Sequence, residues 1–257
     1  MLYTSKMLSD FHKLKYINIT NFWSQGVFPI ATDKPKNSTI YWQGTDTEEN
    51  FKDNPVEGYT ETSITYIFNS NGFREQEFNL TNTRPKILCL GCSHTEGIGL
   101  RLEDAWVTKL KKYFPNHDVY NLGWGGSSAD TVARLLTNCA SLFKPDAVFV
   151  LWPDQTRYEM YNYPRNIVFK GPWNMEKSEV DYFDIVQLRN NLIKNKLIAE
   201  LLAEKYKFKL VELSSDELNL DDDFKMLYTI NKSRDGHYSI TQHDDILKRF
   251  MERFNAS

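Results

Sequence analysis

The chain has 257 residues, 41% of them apolar and 25% charged, with a net charge of −3. That balance excludes a nucleic-acid partner held by bulk electrostatics, and no apolar run approaches the roughly 20 residues of a membrane span, so no membrane partner is expected. Three cysteines, Cys89, Cys92 and Cys139, do not make a disulfide framework.

Cys89 and Cys92 form a C-x-x-C, but Cys89 sits in an apolar run and no second pair supplies zinc ligands. No metal and no cofactor are therefore expected. The opening MLYTSKMLSDFHKLKY lacks the apolar core and small-residue cleavage site of a signal peptide, which implies a cytoplasmic protein.

Residues 1–83 are rich in Asn, Thr, aromatics and turn formers, without long helical periodicity. They read as an irregular extension packed on a main domain at 84–257. Within the extension, 63–68 (SITYIF) alternates, Asn71-Gly72 signals a tight turn, and 73–78 is the expected return strand of a β-hairpin. Trp23, Phe28, Tyr41 and Trp42 are candidate anchors for this segment, with lining a site as the alternative role.

From Pro85 onward strands and helices alternate. Ile87 to Leu90 is a short apolar run closed by Gly91, a buried strand. Helical spacing follows over 104–114, closed by Pro115, then a strand over 117–122. Ser127, Ser128 or Asp130 can cap a helix that runs to about Phe143. The next strand, 147–152 (AVFVLW), is apolar throughout, as a central parallel strand should be.

Residues 154–182 form a long aromatic irregular stretch. A helix over 183–206, a strand over 208–213 and a last amphipathic helix over 240–254 complete the chain. Asp221, Asp222 and Asp223 read as a solvated loop. The pattern predicts a three-layer α/β/α sandwich on a mostly parallel, flavodoxin-like sheet. Three strand ends then share one sheet edge: that of Ser93, that of Gly123 to Gly126, and that of Trp152 to Asp154.

Most serines after a strand are turn or cap residues. Ser93 becomes a candidate nucleophile because the same edge offers the other parts that acyl transfer needs. The N–H groups of Ser93 and Gly126 are candidate oxyanion donors. Of the five histidines, His237 is the candidate base, since Asp235 is near enough in sequence to orient it. His12 lies outside the main domain, His117 starts a strand at the wrong end, and His243 reads as a surface helix residue. His94, Trp124 and Arg157 are candidate substrate-binding residues; Arg157 reads equally well as a solvated surface residue. Tyr158, Tyr161, Tyr163 and Trp173 would form either a carbohydrate-stacking wall or a loop packed by its own side chains.

Gly91-Cys92-Ser93-His94-Thr95-Glu96-Gly97 resembles the first block of the SGNH (GDSL-type) hydrolases, G-D-S-x-x-x-G. Asn121 to Gly126 resembles the second, N-x-x-x-x-G, Trp152-Pro153-Asp154-Gln155 falls where the third, G-x-N-D, would stand, and Asp235-Gly236-His237 resembles the last, D-x-x-H. The 66–74 lead-in is similar to that of uncharacterised bacterial and viral proteins of this type, so a viral origin is one expectation.

The resemblance implies a serine esterase acting through an acyl-enzyme on Ser93. Its substrate would be a small acyl ester, notably an O-acetyl group on a glycan. An acyltransferase, or an inactive fold that binds glycans, would share the same blocks. Three positions depart from the pattern. Cys92 replaces the acidic residue before the serine. Asp154 stands where an oxyanion Asn is expected, and an ionised Asp cannot donate a hydrogen bond, so Gln155 or Arg157 is the alternative donor. Asp235 and His237 are one residue closer than the family's spacing.

Overall fold

The computed structural model describes residues 36–162, 166–174, 184–230 and 232–256. Trp23, Phe28, His12, Tyr163 and the side chain of Tyr161 lie outside the described residues.

Four parallel strands make the central sheet: β3 (Lys86–Gly91), β4 (Asp118–Gly123), β5 (Ala147–Trp152) and β8 (Lys209–Ser214), in the order β4-β3-β5-β8. β3 and β5 are buried along their whole length, which explains their unbroken apolar sequence. Their side chains alternate between two cores. Leu88, Leu90, Val148, Val150 and Trp152 face α4 (Ala129–Phe143) and α5 (Ile185–Tyr206). Ile87, Cys89, Phe149 and Leu151 face α3 (Trp106–Leu110) and α8 (Ile240–Ala256). The result is the expected three-layer α/β/α sandwich.

Local signals explain most element ends. Ser128 caps α4 by accepting from the Thr131 N–H, and the Thr131 hydroxyl oxygen accepts the Ser128 N–H in return. The helix expected over 104–114 is shorter: a 3-10 turn at Leu102–Asp104 precedes α3, which ends at Leu110. Asp221 to Asp223 is not a loop. Asp221 accepts from the Phe224 N–H and opens α7 (Asp222–Ile230), which follows α6 (Ser215–Leu220). The stretch after β5 holds an antiparallel pair, β6 (Tyr158–Asn162) and β7 (Asn166–Lys170), where the sequence predicts irregular chain.

In the extension, Tyr66–Phe68 is a strand (β2), but its antiparallel partner is β1 (Ser38–Ile40), not the 73–78 segment. The Asn69–Gly72 turn forms, closed by Gly72 N–H to Asn69 O and Asn69 N–H to Phe73 O, both at 3.0 Å. Beyond it the chain leaves the sheet because its side chains have better partners. Phe73 is fully buried edge-on to Trp124. Arg74 donates to the carbonyls of Gly97, Leu100 and Thr65, and Glu75 accepts from the Asn121 N–H.

A short helix, α1 (Glu48–Asp53), follows a tight turn closed by reciprocal backbone bonds between Gln43 and Asp46. Asp46 is the anchor. Its carboxylate takes two bonds of 2.7 Å from the Arg234 guanidinium, and neither side chain is exposed. Arg234 also donates to the carbonyls of Tyr41, Thr60 and Glu61 and lies over the Trp42 ring. A buried ion pair is tolerated when its remaining donors are satisfied in this way. Tyr66 OH completes the cluster with a 2.6 Å bond to Asp46.

Candidate active site

β3 ends at Gly91, and the chain turns directly into a one-turn helix, α2 (Ser93–Glu96). The turn fits because β4 ends in glycine as well. A Cβ on Gly123 would lie 2.6 Å from the Thr95 carbonyl carbon and against the Glu96 N–H. With hydrogen there, α2 rests on the end of β4 and Ser93 is carried to the sheet edge. Asn121 ties the pieces together, donating to Thr95 O at 2.9 Å and accepting from the Gly123 N–H.

Glu96, fully buried, reaches back to the loop after β4 and accepts from the Gly125 N–H at 2.5 Å. Gly126 follows with φ +81°. Among the described residues its N–H has no acceptor, and the residue lines a cavity of about 340 Å³ together with Ser93 and His237.

His237 lies on the turn before α8. Its Nδ1 is 2.6 Å from Asp235 Oδ2, and the Asp235 side chain is fully buried. Two more donors fix that carboxylate: the His237 N–H to Oδ1 at 3.2 Å and the Thr45 hydroxyl to Oδ2 at 2.8 Å. Burial pushes the Asp235 carboxyl up, but its bond and charge interaction with His237 and the Thr45 hydroxyl outweigh it, and the net shift is downward. A carboxylate at Nδ1 orients the imidazole, with Nε2 on the side away from Asp235.

His94 does not line this cavity. Its ring stacks on Tyr238 with centroids 3.6 Å apart and meets His237 edge-on at 5.0 Å. Burial first, then the neighbouring His237 and Arg157, hold it well below the ordinary imidazole range, so it backs the His237 ring as a neutral group. His243, expected at the surface, is fully buried and accepts from the Trp106 N–H at 3.1 Å. Trp124 is 3% exposed and belongs to the core beside Phe73, away from the cavity wall.

Asp154 is directed elsewhere as well. One carboxylate oxygen accepts from the Thr156 N–H at 2.8 Å and from the Thr156 hydroxyl. Its neighbour is Asp216, whose carboxyl is pushed up to about 6 by burial and by the Asp154 charge. The oxyanion position that the sequence pattern implies for Asp154 is thus not where its oxygens are engaged. Arg157 does line the cavity, with its guanidinium 5.0 Å from the Trp173 ring centroid.

Five lining residues carried no sequence signal as site residues, Ile98 just past α2 among them. Gln43, Gly44 and Thr45 come from the extension and Phe169 from β7. Thr45 is separated from Asp235 by 190 positions, so no spacing rule reaches it.

No family model matches the chain, and no curated protein matches it in sequence. Among solved structures it is similar to TesA, at 13% identity, TM-score 0.41, covering 66% of this chain and 98% of that one. It is similar to the psychrotrophic esterase EstA from Pseudoalteromonas sp., at 13% identity, TM-score 0.40, covering 66% and 97%. A two-domain esterase active on acetylated mannans aligns at 16% identity, TM-score 0.37, covering 67% and 50%.

Proposed function

We propose that the chain is a serine esterase that hydrolyses small acyl esters, with O-acetyl groups on a glycan as the favoured substrate. The observation that carries this reading is one cavity shared by Ser93, Gly126 and a His237 ring fixed by a buried carboxylate.

Ser93 Oγ attacks the ester carbonyl carbon while His237 Nε2 takes the hydroxyl proton. The carbonyl oxygen becomes an oxyanion held by the N–H groups of Ser93 and Gly126. The carbon–oxygen bond to the alcohol then breaks, and the alcohol leaves with the proton from His237. Water attacks the acyl-enzyme, gives its proton to His237, and the carboxylic acid departs as Ser93 recovers it. Asp235 orients the imidazole and stays ionised throughout. No cofactor enters this scheme.

The test is labelling with a fluorophosphonate probe alongside hydrolysis of 4-nitrophenyl acetate. Wild type is expected to label and to turn over, and Ser93→Ala and His237→Ala to do neither, with losses of at least about 10³-fold. Full turnover by Ser93→Ala would overturn the assignment.

A further inference from the structure

The cavity holds one permanent charge among its described lining residues, the guanidinium of Arg157. The other walls are neutral side chains, backbone and the His237 imidazole, and Asp235 lies fully buried behind that ring, committed to it.

A cation lining a pocket ordinarily takes a carboxylate from the protein. Arg157 forms no such pair among the described residues. Asp154 feels its charge but gives an oxygen to Thr156 instead, and its own backbone carbonyl accepts the Arg157 N–H at 3.2 Å. The guanidinium lies near the Trp173 ring, which is 54% exposed. Contact with an indole face steadies the guanidinium and leaves in-plane N–H donors for a planar acceptor. A steadied cation that lines the cavity with Ser93, and has no carboxylate ion pair among the described residues, is suited to receive an anion.

Building on the esterase reading, we infer that the natural ester carries a carboxylate close to its scissile bond, and that Arg157 binds it. The carboxylate can sit in the acyl half, as in a dicarboxylic half-ester, or in the alcohol half, as in an acetylated uronic acid. Arg157 is then a specificity-determining residue. It selects against neutral esters of the same size, because they leave its charge unpaired when water is displaced.

Two substrate pairs separate the sources: 4-nitrophenyl hydrogen succinate against 4-nitrophenyl butyrate, and O-acetylgalacturonate against O-acetylgalactose. In wild type the anionic member of at least one pair is expected to show a kcat/KM about ten-fold or more above its neutral partner. That ratio should collapse to about one in Arg157→Gln, survive in part in Arg157→Lys, and shrink with added salt. Ratios near one for both pairs in wild type, or a ratio that persists in Arg157→Gln, would overturn the inference.

A binding measurement keeps the two readings apart. Calorimetric titration of Ser93→Ala with galacturonate, galactose, succinate and butyrate needs no turnover. Preference for an anion that disappears on adding Arg157→Gln supports the inference even if hydrolysis fails. Equal affinities, or no binding by either anion, count against it even if Ser93 labels.

Discussion

Thr45 shows how much of the site depends on single atoms. Its hydroxyl donates to the carboxylate oxygen that faces His237 Nδ1, so it shares the work of holding Asp235 ionised and in place. Thr45→Val deletes the donor at nearly constant shape. The expected outcome is a kcat about 3- to 10-fold lower with KM little changed, since a charge-assisted bond lost at a partly exposed position costs about 1 kcal/mol. Thr45→Ser, which keeps the hydroxyl, should recover most of the rate. The pH profile separates positioning from mere stability. With one donor gone the Asp235 carboxyl rises, and the acid limb of kcat moves to higher pH in Thr45→Val but not in Thr45→Ser. An unmoved limb would make Thr45 a packing residue.

At the level of elements, the end of β5 and the first turn of α6 bring Asp154 against Asp216. Asp216 is pushed up to about 6 from an ordinary 3.8 by burial and by the Asp154 charge. Between those two values the folded chain holds a proton that the unfolded chain has released. The group's contribution to stability is therefore full below about pH 4 and falls as pH rises through about 6. Asp216→Asn keeps a neutral partner at every pH. Its melting temperature relative to wild type should climb across that window and then level off; a pH-independent difference would remove Asp216 as the titrating group.

The elements that were legible in the sequence are those whose signals are local. β3 and β5 are apolar runs cut off by glycine or proline, and α4 carries its own cap. β6 and β7 were not legible, because no Asn-Gly or Asp-Gly joins them and their aromatic and charged residues mask any clean alternation. The partner of β2 is hidden for a related reason. The turn was correctly placed, but the destinations of Phe73, Arg74 and Glu75 are tertiary, and they pull the expected return strand away. Of the candidate site residues, Ser93 and Gly126 are legible at the glycine-marked ends of β3 and β4, and His237 by its two-residue spacing from Asp235. His243 did not betray its burial, and Asp154 did not betray its engagement with Thr156.

For the whole molecule, the Arg234–Asp46 pair joins the extension to the turn that carries Asp235 and His237. Asp46→Ala leaves a fully buried guanidinium without its carboxylate, and the three carbonyls that remain do not neutralise it. The expected loss is about 3–5 kcal/mol in urea unfolding, with the proposed esterase activity falling in parallel. A loss below about 1 kcal/mol would mean that the extension is held by its apolar contacts alone. Replacing both partners with apolar residues should cost less than either single change, which a double-mutant cycle would reveal.

That pairing also bears on when the proposed activity can appear. The turn from Gln43 to Asp46 is made early and Asp235 late, and the bond between them closes a span of 190 residues. Closing so long a loop is entropically slow and waits on the sheet that lies between. On the esterase reading, Ser93 and the glycines around it are therefore made before the His237 that would serve as its base. Activity would then wait on that long-range closure rather than on the making of Ser93.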